Sequence, residues 1–105
     1  MSIRYLALLA AGLAFAGNAL AESGEELAKK SNCLTCHSVD QKVLGPSFRE
    51  IAAKYKSDKG AQAALEKKVR SGGAGAWGKM PMPATAMSVS DGDIKSIVQW
   101  VLSLK

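Results

Sequence analysis

Histidine and cysteine are scarce in this chain: His37 is the one histidine, and Cys33 and Cys36 are the only thiols. A disulfide framework is thereby excluded, because a bridge between residues three apart closes too small a loop to constrain the unfolded chain. A closed structural zinc site is excluded too, since it needs four protein ligands and these three close residues make poor tetrahedral geometry. No apolar run reaches the roughly 20 residues that a membrane-spanning helix requires. The sequence also lacks internal repeats, a convincing strand pattern and the length for a second folded domain.

The longest apolar stretch, Tyr5 to Ala16, follows Arg4 and precedes Ala19-Leu20-Ala21. A positive start, a short apolar run and small residues at a cleavage site are the layout of a secretory signal peptide. The expectation is therefore a signal peptide over residues 1–21 and a single exported domain over 22–105. The whole chain carries a net charge of +5, and loss of Arg4 leaves +4. Surplus lysine points to an acidic partner, and export disfavours nucleic acid as that partner. A domain of this length buries a marginal core and needs a staple such as a metal or a cofactor.

Four segments of the exported part read as helices. Ser23 with Glu26, and Ser47 with Glu50 after Pro46, form capping boxes. The first opens a helix through Leu27 toward Cys33. The second opens one that carries Phe48, Ile51, Ala52 and Tyr55 on one face. Asp58 is a candidate cap for a third helix with Ala61, Leu65 and Val69, ended by Gly72-Gly73. Ser90 with Asp93 opens the last, whose Ile94, Ile97, Val98, Val101 and Leu102 follow the helical period. The spacing predicts loops at 38–46 and 71–89. The second is long, and its Trp77, Met80, Met82 and Met87 suggest that it covers something apolar.

Cys33-Leu34-Thr35-Cys36-His37 is a Cys-x-x-Cys-His run, the attachment signature of a c-type haem. Residues three apart share a helix face, so both thiols can reach the two vinyl groups of one porphyrin edge. His37 follows directly and can turn to the iron. A thioredoxin-like pair would expect a βαβ context that is missing here. With one histidine, bis-histidine ligation within the chain is excluded, which leaves methionine, lysine or an open sixth position. Met82 is the best placed methionine, because Pro81 and Pro83 stiffen the backbone on both sides. Met80 and Met87 read as gap-filling residues against the haem face.

At this point the sequence resembles the class I cytochromes c, in particular the short bacterial periplasmic monohaem subgroup that donates electrons to nitrite reductases and terminal oxidases. The likeness runs over Glu22 to Lys105. It rests on the haem motif, on Val43-Leu44-Gly45-Pro46, on Trp77-Gly78-Lys79-Met80-Pro81-Met82-Pro83 and on Trp100-Val101-Leu102-Ser103-Leu104-Lys105. The resemblance implies an all-α fold, with crossing N- and C-terminal helices and two shorter ones wrapped around one covalent haem. Leu27 and Trp100 are expected in the crossing. It also implies haem attachment by Cys33 and Cys36, and iron ligation by His37 and Met82. Further roles implied are a Pro46 carbonyl bonded to His37, Trp77 donating to a propionate, and Lys68 and Arg70 near the propionates. One departure is plain: the subgroup places asparagine three residues after the ligand methionine, where this chain has Thr85, a hydroxyl of shorter reach.

The implied function is that of a periplasmic one-electron carrier and not an enzyme. The expected partners are redox proteins with acidic docking surfaces, met as a monomer through lysines such as Lys30, Lys42 and Lys79. A gas-binding or peroxidase-like haem protein needs an open sixth site, and its c-type bundle carries the haem motif near the C-terminus. A haem-free thiol protein is the third reading, and a haem spectrum eliminates it.

Overall fold

The computed structural model describes residues 22–105, so the signal-peptide reading of 1–21 lies outside the described residues. Three serines set the helix starts by one local device. Ser23, Ser47 and Ser90 stay extended, and each Oγ accepts a hydrogen bond from the backbone N–H three residues on, at 3.2, 3.1 and 3.1 Å. Each bond satisfies a donor that has no partner within the helix. The helices that follow are α1 (Gly24–Lys30), α2 (Phe48–Lys54) and the longest, α4 (Asp91–Ser103). The third helix in chain order, α3 (Ala61–Ser71), begins differently. Gly60 is its cap, and Asp58 accepts from the Gly60 N–H at 2.8 Å instead of capping the helix itself. The expected cap thus closes the turn before the helix.

α1 is shorter than its sequence suggests. It stops at Lys30, and Asn32 takes a left-handed conformation (φ 64°), so Cys33–Thr35 forms a separate 3₁₀ turn. That break serves the motif, because side chains three apart eclipse one another on a 3₁₀ turn.

The segment expected as a loop contains a hairpin, β1 (Gly73–Gly75) with β2 (Gly78–Met82), antiparallel, pairing Gly73 with Met82 and Gly75 with Gly78. The pairing left no trace in the sequence pattern, because none of these residues is β-branched and Gly72, Gly73, Gly75 and Gly78 all hold positive φ. At Gly72 (φ 71°) glycine is required twice over: an added Cβ would meet the Met82 carbonyl oxygen, and would lie 2.8 Å from Ala84 N.

α4 is the hub, packing against α1, α2 and α3. Its buried stripe is Ile94, Ile97, Val98 and Val101. With Leu27, Ala28 and Phe48, residues Ile97 and Val101 form the core cluster, against which Trp100 and Ile51 pack. Ala28 is fully buried and Gly24 lies under Trp100, so the two small residues let α1 come close to α4. Burying one side chain such as Phe48 contributes about 1.5–3 kcal/mol.

Candidate haem site

The loop after the motif folds back under the motif itself. Gly45 N–H donates to the Cys36 carbonyl at 2.8 Å, and the first two N–H groups of α2, on Phe48 and Arg49, donate to the carbonyls of Ser38 and Val39. Those bonds satisfy two open donors of α2 and carry Pro46 to the imidazole. His37 Nδ1–H donates to the Pro46 carbonyl at 2.7 Å, which leaves Nε2 as the lone-pair nitrogen. The ring stacks on Phe48 (centroids 5.2 Å apart, planes at 24°), and Phe48 meets Trp100 edge to face. Gly45 completes the seat, since a Cβ there would lie 2.8 Å from His37 Cε1. The imidazole is therefore held on three sides.

Beside the imidazole lies a cavity of about 370 Å³, lined mostly by apolar atoms. Cys33, Cys36 and His37 border it on one side, and Met80 and Met82 of β2 border it as well. Leu65 and Val69 of α3 and Ile97, Val98 and Val101 of α4 contribute apolar lining. Burial pushes the Cys33 thiol pKa up, because the thiolate loses water.

The remaining expected residues divide. Pro46, Trp77 and Lys68 border the cavity; Arg70 does not. The Arg70 guanidinium is taken up by the carbonyls of Ala86 and Val89 and by the Asp91 carboxylate. Met87 also departs from expectation. It is 82% exposed, its sulfur faces Arg70, and it takes no part in the lining, so it fills no gap at the site. Met80 borders the cavity but is 64% exposed, whereas Met82 is half-buried. Thr85 is outside the lining, and its backbone N–H donates to the Val69 carbonyl at 3.2 Å.

One contributor was not foreseen. Lys54 Nζ lies 4.5 Å from the Trp77 ring centroid and donates to the Ala76 carbonyl at 3.0 Å, fixing the tip of the hairpin to α2. The pair is 23 positions apart, so no local signal announces it. Val43, Leu44, Trp77 and Met80 form an exposed apolar patch, and with Lys42, Lys79 and Glu50 they border a groove beside the cavity. Lys30 is elsewhere engaged: the Glu22 carboxylate lies 2.7 Å from its Nζ and raises its pKa.

The family model of cytochrome c matches residues 21–105. Cytochrome c-551 of Pseudomonas aeruginosa is 42% identical over 95% of this chain and 94% of its own length. Cytochrome c-552 of Nitrosomonas europaea is 45% identical over 91% of this chain and 90% of its own. The crystal structure of wild-type Nitrosomonas europaea cytochrome c552 superposes with a TM-score of 0.72 at 46% identity, covering 77% of this chain and 99% of that one.

Proposed function

Because the chain belongs to the cytochrome c family, and is with it an electron-transfer protein carrying one covalent c-type haem, we propose that it is a periplasmic single-electron carrier whose iron is ligated by His37 and Met82. The observation that carries the reading is the convergence of Cys33, Cys36, His37 and Met82 on one apolar cavity. The donor set suits the group. Two thiols on one 3₁₀ turn supply the thioether links, and an imidazole with a free Nε2 supplies a strong ligand. A thioether from β2 completes the pair.

When bound, the haem supplies the one-electron ferric/ferrous couple. The chain's residues then tune and present it. The Pro46 carbonyl holds His37 in one tautomer and makes Nε2 more basic. A Met82 thioether favours ferrous iron, and the apolar lining acts in the same direction, so both raise the reduction potential. Held by both His37 and Met82, the iron would have no place left for a substrate. Trp77 and Lys68 border the cavity and would be the donors for the propionates. Arg70 is spent on its own loop and is not among them.

Partner recognition uses the exposed patch of Val43, Leu44, Trp77 and Met80, flanked by Lys42 and Lys79. Glu50 also borders the groove, so apolar contact carries the encounter and the two lysines, with the surplus positive charge of the chain, favour acidic docking faces of redox proteins, for which a nitrite reductase or a terminal oxidase is the proposed class. Residues 1–21 act as the cleaved export signal, and no helix among the described residues is long and apolar enough to cross a membrane.

The test is the visible spectrum of the holoprotein, oxidised and reduced. A low-spin ferric form with the weak far-red band of methionine sulfur on iron, abolished by Met82→Ala and retained by Met80→Ala, is the expected result. A high-spin ferric protein lacking the band and binding carbon monoxide when reduced would overturn the ligation and the carrier role together.

A further inference from the structure

The segment that returns from Met82 to α4 is fastened to the C-terminal end of α3 at three successive places. Gly72 underlies the Met82–Ala84 backbone, and the Val69 carbonyl accepts from Thr85 N–H. Arg70 then takes residues 86–91. Its Nη2 donates to the Val89 carbonyl at 2.6 Å and to Asp91 Oδ1 at 2.8 Å. Its Nη1 donates to the Ala86 carbonyl and its Nε to Asp91, each at 3.2 Å. The turn it grips is closed on itself by Val89 N–H to the Ala86 carbonyl, at 3.0 Å. A lysine, with one compact charge on a flexible stem, would not hold three acceptors spread over residues 86–91 as the planar fork does.

We infer that Arg70 is a positioning residue for the sixth iron ligand: it restrains the 82–91 segment so that Met82 stays at the metal. The inference rests on Met82 as that ligand. The physical logic is a local opening equilibrium. An external ligand binds ferric iron only in the fraction of molecules whose methionine has swung away, so its apparent affinity reports that fraction directly. The Asp91 partner is an almost fully exposed carboxylate and contributes little. The two carbonyl bonds are charge-assisted, and they join α3 to the turn.

The experiment is a titration of ferric holoprotein with imidazole, alongside the methionine–iron band and a thermal melt. Arg70→Gln is expected to raise imidazole affinity roughly tenfold, the worth of about one charge-assisted hydrogen bond spent on holding the loop. Asp91→Asn is expected to change it little. In a Met82→Ala background the site is already open, so adding Arg70→Gln should leave imidazole affinity where Met82→Ala put it. A general structural role would not produce that dependence on background. Wild-type affinity in folded Arg70→Gln, or an equal rise in both backgrounds, overturns the inference while the methionine band of the parent protein stands. A parent protein with no such band, unchanged by Met82→Ala, removes the ligand assignment and the clamp with it. If Arg70→Gln does not retain haem, Arg70→Lys carries the same test. It keeps the charge but loses the fork, and an unchanged affinity would overturn the clamp.

Discussion

Replacing Gly24 by alanine ought to help a helix and is expected here to harm the protein. Alanine in place of glycine stabilises a helix by up to about 1 kcal/mol, less in the first turn. Against that stands the crossing with α4. A Cβ on Gly24 would lie 2.6 Å from the Ser96 carbonyl oxygen and closer still to Trp100 Cβ. Neither obstacle is the far end of a flexible side chain, so the helices must part by about 1 Å, and a gap of that size forfeits a quarter to a half of each contact across it. The interface includes Leu27, Ala28, Ile97 and Val101, and overpacking of such a site costs about 1–3 kcal/mol. The packing loss exceeds the helix gain, and a net loss of about 1–2 kcal/mol lowers Tm by roughly 5–15 °C in a domain of this size. Gly92 supplies the control, because it occupies the first turn of α4 and a Cβ there would meet only Ser90 Oγ, at 3.8 Å. Gly92→Ala is expected to raise Tm slightly. Thermal unfolding of the two holoproteins followed by far-UV circular dichroism decides: a Gly24→Ala protein melting at or above the parent would refute the reasoning about the crossing.

Other outcomes follow from the same geometry. Gly45→Ala drives a methyl against the His37 ring, whose retreat is barred by Phe48 and Pro46; a shifted haem spectrum with a stability loss of about 1–3 kcal/mol is expected, and an unchanged spectrum would mean that the seat is soft. Ser47 is 1% exposed and caps α2, so Ser47→Ala should cost about 0.5–2 kcal/mol in denaturant unfolding, and a neutral result would discount the cap. Asp40 pairs with Arg49 at an exposed site, so Asp40→Asn should change stability by no more than about 1 kcal/mol, and a larger loss in a melt would show that the pair matters more than its exposure allows. A Cys33→Ser, Cys36→Ser chain purified without haem leaves the apolar cleft of about 370 Å³ unfilled and its lining in water, in a domain too small to hold a large stability reserve; loss of the cooperative melt is expected, and a haem-free chain melting like the parent would contradict this.

The features legible from the sequence alone are those whose causes lie within a few turns of one helix. Ser23, Ser47 and Ser90 announced three helix starts because a cap reaches only three residues ahead. The apolar period of α4 announced its buried stripe, and Cys33, Cys36 and His37 announced the cofactor by their spacing. What only the tertiary structure decided depends on groups brought together from far along the chain. The hairpin that presents Met82 has no propensity signal, because it is made by glycine conformations and pairing. Gly24 matters only because α4 crosses it, and Lys54 only because Trp77 arrives beneath it. Met87 and Met80 read alike in the sequence, yet one faces Arg70 and the other borders the cavity. From the sequence, Arg70 is expected with Lys68 near the propionates. Only the return of the chain, 16 to 21 positions on, brings it the carbonyls and the carboxylate that its planar fork can bridge.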